Sequence, residues 1–359
     1  MEKQPDTKSI PCGELYSKFI ARKTLFIFTL LVVLMILVVV RIDIGPVHLG
    51  IKNSINALIA RMFPFINVEC PRLAYNIVGY RLPRVVLGIV VGAGLGIAGA
   101  VMQGVLRNPL VSPFTIGVSS GASFGASLAI ILGFSLVGST RYVVVINAFI
   151  FAMVASFLIL GIGRLRGVTP ESFILAGIAV MYFFSACTSF LNYISEEGGV
   201  TAVVFWMMGS LEQGNWNLIF IALGVTLVCT LLMMYFSWDL NAMSIGDEVA
   251  ISLGVNPGRL RIISMTLVAV VTASLICITG IIGFVGLVAP HICRLIIGGD
   301  HRFLLPSSCV LGAVMVVAAD IVSRIIMPPS VVPVGIILSF IGVPFFGYLL
   351  LRRKRRYWT

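Results

Sequence analysis

Along most of the chain, apolar residues do not alternate with polar ones. They come in runs of roughly 20, the length a helix needs to cross a bilayer core about 30 Å thick. Ten runs predict ten spans: Thr24 to Val40, Val85 to Leu106, Phe114 to Phe134, Tyr142 to Gly163, Ser172 to Ile194, Trp216 to Phe236, Ile262 to Thr279, Ile281 to Ile297, Phe303 to Ile326 and Val332 to Leu351. The eighth is the least regular, because Pro290, His291 and Arg294 interrupt it. The first follows 23 largely polar residues and lacks a small-residue cleavage site, so it reads as a retained helix.

Composition supports this pattern: 59% of residues are hydrophobic, 11% are charged, and the mean hydropathy is +1.08. The expectation is an all-α integral membrane protein with about ten transmembrane helices. It forms one polytopic domain over residues 1–359, with a cytoplasmic N-terminal segment at 1–23, a cytoplasmic loop at 238–260 and a basic cytoplasmic tail at 352–359. Five spans per half is an odd number, so the halves enter the membrane in opposite senses, an inverted-repeat-like arrangement common in transporters. Two similar stretches, Gly99 to Leu106 and Gly280 to Leu287, each soon meet a proline, Pro109 and Pro290.

Lys and Arg fix the expected orientation, because cytoplasmic loops carry their excess. With both termini inside, 17 of the 25 fall on the cytoplasmic side. Six of the other eight form one outer cluster: Arg41, Lys52, Arg61, Arg72, Arg81 and Arg84. A basic cluster on the outer side suggests either a wrongly drawn topology or a task for it, such as docking an acidic partner. The net charge of +11 is ordinary for this class and does not point to nucleic acid.

Glycine or alanine recurs every fourth residue at Gly88, Gly92, Gly96, Ala100 and Gly104, and glycine again at Gly117, Gly121 and Gly125. Such ridges let helix backbones approach closely in lipid, where packing drives association. Between the fifth and sixth spans, Val200 to Trp216 holds an apolar piece too short to cross and reads as re-entrant or interfacial. Its Met207-Met208 pair reads as packing before any ligand contact. The seven cysteines have no metal-ligand spacing and read as small packing residues.

Enzyme motifs do not fit. Gly117 to Gly121 matches GxSxG, which needs a strand-to-helix turn with His and acid partners, yet here it opens an apolar helix. There is no HExxH and no GxxxxGK[ST], and no Lys occurs between Lys52 and Lys354, so the chain has no phosphate loop of its own. Asp320 is the one carboxylate well inside a span and lies four residues before Arg324, at pairing distance on one helical face. A self-powered carrier would need more intramembrane ionisable groups. No cofactor or metal is expected.

The stretch Ala242 to Val255 breaks the apolar text. Ser244 and Asp247 fit a capping box, Asp247 and Glu248 suit a first helical turn, Gly254 closes it and Pro257 prevents resumption. So short a helix needs a surface to lie on.

Taken together, these residues resemble the FecCD permeases, membrane subunits of ABC importers for iron chelates, haem and vitamin B12. The shared motifs are RLPR (81–84), RNPLVSPFTIGVSSGA (107–122), LAGIA (175–179), FWMMGSL (205–211), LNAMSIGDEVAISLGV (240–255), GFVGLVAPHICRL (283–295), DHR (300–302) and ADIVSR (319–324). The resemblance implies a homodimer with two cytoplasmic ABC ATPase subunits and an extracytoplasmic substrate-binding protein, in a prokaryotic inner membrane. It implies ATPase coupling at Gly246, Asp247, Glu248, Ala250 and Gly254, with Val249 departing from the wider EAA-x3-G signature of ABC permeases. It also implies that Arg81, Arg84 and Arg324 dock the binding protein and that His291 is structural. The expected activity is ATP-driven import of an iron complex, a ferric siderophore or haem, by alternating access. Cobalamin is the alternative cargo, and a secondary carrier or intramembrane hydrolase is the competing class.

Overall fold

The computed structural model describes residues 12–45, 47–63, 65–66, 68–114, 117–134, 136 and 142–351. The first eleven residues and the expected basic tail, 352–359, lie outside them. The described residues form fourteen helices and no strand. They are α1 (Cys12–Asp43), α2 (Ile51–Met62), α3 (Arg72–Val105), α4 (Val118–Leu132), α5 (Val143–Leu165), α6 (Pro170–Ile194), α7 (Glu197–Met207), α8 (Trp216–Tyr235), α9 (Ser237–Ile245), α10 (Asp247–Ser252), α11 (Pro257–Thr279), α12 (Val285–Ile297), α13 (His301–Ile325) and α14 (Val334–Leu351). Seven are long and apolar enough to cross a membrane alone: α1, α3, α5, α6, α8, α11 and α13. The shorter α4, α12 and α14 stand where the other three spans were expected.

The boundaries differ from the hydropathy reading for physical reasons. Helix α1 begins twelve residues before Thr24 and α3 thirteen before Val85, because hydropathy marks the apolar part of a helix and not its full hydrogen-bonded length. RLPR therefore lies inside α3, with Pro83 within the helix. Helix α2 was not expected at all, since its apolar residues are spaced around a polar face and form no run. Helices α4 and α12, with 15 and 13 residues, rise only about 22 and 20 Å, so non-helical backbone completes those spans.

Such backbone is tolerated at membrane depth only where protein covers it. Ser210 N–H donates to the Thr279 carbonyl at 2.7 Å, and Gly335 N–H to that of Gly209 at 3.4 Å. Gly209 and Gly280 take positive φ of 72° and 70°, and a Cβ on either would collide with a neighbouring carbonyl, Ile281 or Trp206. The expected start of the eighth span at Ile281 thus falls in this turn, and α12 begins at Val285.

The first glycine ridge runs along α13. Side chains at Gly92 and Gly312 would each strike the other's carbonyl, one at Gly96 would strike that of Ser308, and one at Gly104 would meet His301. Residue numbers rise on α3 as they fall on α13, so the two helices are antiparallel with backbones in contact. The two look-alike stretches meet beside this seam, where Gly99 abuts the Gly286 carbonyl. The second ridge packs α4 on α5, Gly121 against Phe151 and Gly125 against Asn147.

Gly92→Val would force apart two backbones, and overpacking of this kind costs about 1–3 kcal/mol or more. The expected outcome is a clearly lowered unfolding temperature in detergent. Gly161→Ala, where a Cβ meets open space, should leave that temperature unchanged.

Candidate functional sites at the two ends of the bundle

Polar side chains gather at two ends. At one end, the expected single helix over Ala242 to Val255 is in fact two. Helix α9 runs through Ser244, whose hydroxyl donates to the Asn241 carbonyl at 2.6 Å, so Ser244 caps nothing. Gly246 breaks the chain and serves as the N-cap of α10. The close of α10 matches the expectation. Gly254 has φ +84°, Val255 N–H donates to the Ala250 carbonyl at 2.9 Å and Gly254 N–H to that of Ile251 at 2.9 Å, the paired bonds of a Schellman motif.

Asp247 anchors this loop. Its Oδ1 lies 2.7 Å from Nη2 of Arg261 on α11 and 3.2 Å from Nη2 of Arg107, which follows α3. Arg261 is 3% exposed and also donates to the carbonyls of Val168 (3.2 Å) and Val105 (3.4 Å). One guanidinium therefore joins α10, α11, the end of α3 and the α5–α6 turn. The hydrogen bond from Arg261, with the charge of Arg107 behind it, holds the Asp247 carboxyl below the usual Asp range.

Ala250 is fully buried and faces the protein's own core. Glu248, Val249, Ile251, Leu253 and Gly254 are exposed, as is Ile245 at 70%. The outward face of α10 is thus mainly apolar, with Glu248 at its start and Ser252 at its end.

Beside it lies a second cluster. Asp300 accepts from Arg302 at 2.7 Å and from Asn241 at 2.9 Å, and Lys23 of α1 lies 3.7 Å away. Burial pushes the Asp300 carboxyl up, but these hydrogen bonds outweigh it and hold the group below the usual range. His301 is buried, and Arg294 on α12 donates to Gln103 Oε1 on α3 at 3.0 Å.

At the other end, Arg41 of α1 is 1% exposed and paired with Asp320, which also lies 3.4 Å from Arg324. Arg81 is 9% exposed, and its guanidinium donates to the carbonyls of Ile42 (2.6 Å), Asp43 (2.9 Å) and Val47 (2.7 Å). It ties α3 to the turn after α1. Arg84 is 35% exposed on its side chain and lies 3.8 Å from Glu212. Arg324, 10% exposed on its side chain, lines a cavity of about 790 Å³ with Asp320, Glu212, Tyr142 and Trp206. A second cavity, about 630 Å³ and mostly apolar, is lined by Phe114, Ser119, Met208, Phe284 and Phe340.

The GxSxG serine, Ser119, donates to the Phe114 carbonyl at 3.5 Å, and His291 packs edge-on to Phe345. Among the described residues no three His, Cys, Asp or Glu converge as metal ligands.

Sequence reasoning found Asp247 and missed its partners Arg107 and Arg261, along with Asn241, and it placed Arg41 in the outer basic cluster without its partner Asp320. The available signal was that the arginines share an end of the bundle with the acid they serve.

The profile of the FecCD transport family matches residues 31–352. The chain belongs to the FecCD transport family. It is 37% identical to the Fe(3+)-citrate import system permease protein YfmE of Bacillus subtilis, over 93% of this chain and 97% of that one. It is 41% identical to the cobalamin import system permease protein BtuC of Halobacterium salinarum, over 80% and 76%. A solved structure described as an inward-facing metal-chelate type ABC transporter superposes with a TM-score of 0.79 at 33% identity, covering 91% of this chain and 98% of that chain. The all-helical, multi-span architecture is therefore that of the FecCD permeases.

Because its carboxyl is held below the ordinary Asp value of about 4, the Asp247 anchor is complete at neutral pH and is lost only as pH falls through that lowered value. Asp247→Asn at pH 7 should speed amide exchange over residues 247–252 by roughly tenfold, as expected for a lost hydrogen bond between charged groups, and leave α3 unchanged. Wild-type exchange rates in the variant would contradict the anchor.

Proposed function

We propose that this chain is the membrane permease of an ATP-driven importer of metal chelates, with an iron complex as cargo. The observation that carries the reading is the exposed apolar face of α10. It is a six-residue helix, too short to be stable alone, yet pinned by Asp247 with Ile251, Leu253 and Glu248 outward. A rigidly held apolar knob at one end of a membrane bundle suits a partner that pushes on it. In an ABC importer that partner is an ATPase subunit in the cytoplasm.

On this reading the Asp247 end is cytoplasmic, both termini lie inside a prokaryotic inner membrane, and two copies form a homodimer over two ATPases. Gly246 permits the break between α9 and α10. Glu248 and Gly254 bound the contact face, and Ala250 sets how deeply α10 sits on its own protein. Hydrolysis of ATP belongs to the partners; this chain is not an enzyme.

At the outer end a substrate-binding protein docks through acidic groups. Arg84, the most exposed of the three expected arginines, makes the contact, and Arg324 at the cavity rim contributes to it. Arg81, bonded to three carbonyls, holds the platform beneath. Cargo passes by alternating access, and the mostly apolar second cavity supports a large chelate over a small hydrated ion. An iron complex rests on the Fe(3+)-citrate relative, and cobalamin stands as the second reading on the relative from Halobacterium.

The test is ATP-dependent uptake by the reconstituted assembly, with ferric citrate, ferric siderophores, haem and cobalamin in parallel. An iron complex should accumulate only with ATP and binding protein present. Accumulation without any ATPase would instead indicate a secondary carrier, and Ser119-dependent cleavage of a peptide or ester a hydrolase. Glu248→Lys or Gly254→Trp should abolish uptake in a folded dimer. Arg84→Glu should weaken binding-protein docking at low salt by about tenfold or more without loss of fold, whereas Arg81→Glu should destabilise the permease itself.

A further inference from the structure

Helix α9 meets the start of α13 through one side chain. The amide oxygen of Asn241 accepts from the His301 backbone N–H at 2.8 Å and lies 2.9 Å from His301 Nδ1. Its Nδ2 donates to Asp300 Oδ1 at 2.9 Å. A helix leaves its first N–H groups without intrahelical partners, and here one of them, on the first residue of α13, is satisfied by a different helix. The N-cap Asp300 serves Arg302 N–H at 3.1 Å. The amide orientation follows from the network, since the reverse would set NH2 against an N–H donor.

One turn earlier on α9, the Trp238 ring lies 4.2 Å from the Arg302 guanidinium, which is itself bound to Asp300. Lys23 brings α1 to the same carboxylate, and His301 presses against Gly104 of α3. The point Asn241 grips is therefore where α1, α3 and α13 converge.

Apolar residues of α9 such as Leu240 and Met243 are also buried. Apolar contact is non-directional and permits sliding, whereas hydrogen bonds fix a register. We propose that Asn241 is the positioning residue that locks the α9–α10 loop to α13, so that displacement of the loop by its partner is delivered to α13 and not dissipated between helices. This rests on the reading of α10 as the ATPase contact.

The test measures uptake and ATP hydrolysis in the same proteoliposomes containing permease, ATPase and binding protein. Asn241→Leu keeps the branched heavy-atom shape and removes the polar grip. Hydrolysis should stay within about twofold while uptake per ATP falls about tenfold, and in the permease alone the amides of 301–304 should exchange faster. Asn241→Asp retains the acceptor but sets a carboxylate against Asp300. It should also uncouple, and adding Asp300→Asn should restore at least half of the lost uptake per ATP.

Unchanged uptake per ATP in N241L, a parallel fall of hydrolysis and uptake, unchanged exchange at 301–304, or no restoration by D300N overturns the proposal. Wild-type assemblies that hydrolyse ATP without accumulating any chelate bring down the importer reading itself. Normal wild-type uptake with fully coupled N241L brings down the relay alone.

Discussion

In lipid, helices gain little by hiding apolar surface from one another, so a bundle is held by close van der Waals contact and by the few polar bonds it can satisfy. The seam between α3 and α13 meets that constraint with backbone against backbone at Gly92 and Gly312. Because both helices run the depth of the bundle, the seam fixes the distance between its ends. Helix α1 joins the same unit, bound to Asp300 through Lys23 and to Asp320 through Arg41. Charges 18 residues apart on α1 thus meet carboxylates 20 apart, one at the N-cap of α13 and one within it, so α13 runs parallel to α1.

This frame explains how the basic residues divide. Charge counting on the outer side suggested a docking cluster, yet Arg41 and Arg81 are buried and engaged with Asp320 and with backbone carbonyls. A buried guanidinium deprived of its partner is costly, so these two groups belong to the architecture. Arg84, on the next turn from Arg81, is by contrast 35% exposed on its side chain. The same division holds at the Asp247 end, where Arg261 is internal while Glu248, Val249 and Ile251 of α10 are exposed.

The sequence reading recovered the place and type of an element well where a single cause dominated. Long apolar runs marked α1, α5, α6 and α8, and four-residue glycine spacing marked the faces of α3 and α4 that touch a neighbour. It failed where helices outrun the bilayer, as in α3, or where a span is completed by irregular backbone, as before α12, because hydropathy records burial in lipid and not hydrogen bonding. The Ser244 capping box was locally sound, but α9 already bonds that hydroxyl inside its last turn. Most of the contacts of Asp247, Asn241 and Arg41 reach residues far along the chain, and no local pattern encodes them.

An importer of this kind requires the two polar ends to face opposite sides of one membrane. The most direct measurement is accessibility of single cysteines to a membrane-impermeant thiol reagent, in a background lacking native thiols. Tyr80, 82% exposed, marks the Arg84 end, and Leu253, 65% exposed, marks α10. The account predicts that Tyr80→Cys is labelled on intact cells and Leu253→Cys only in inside-out vesicles. Labelling of both from the same side would contradict it.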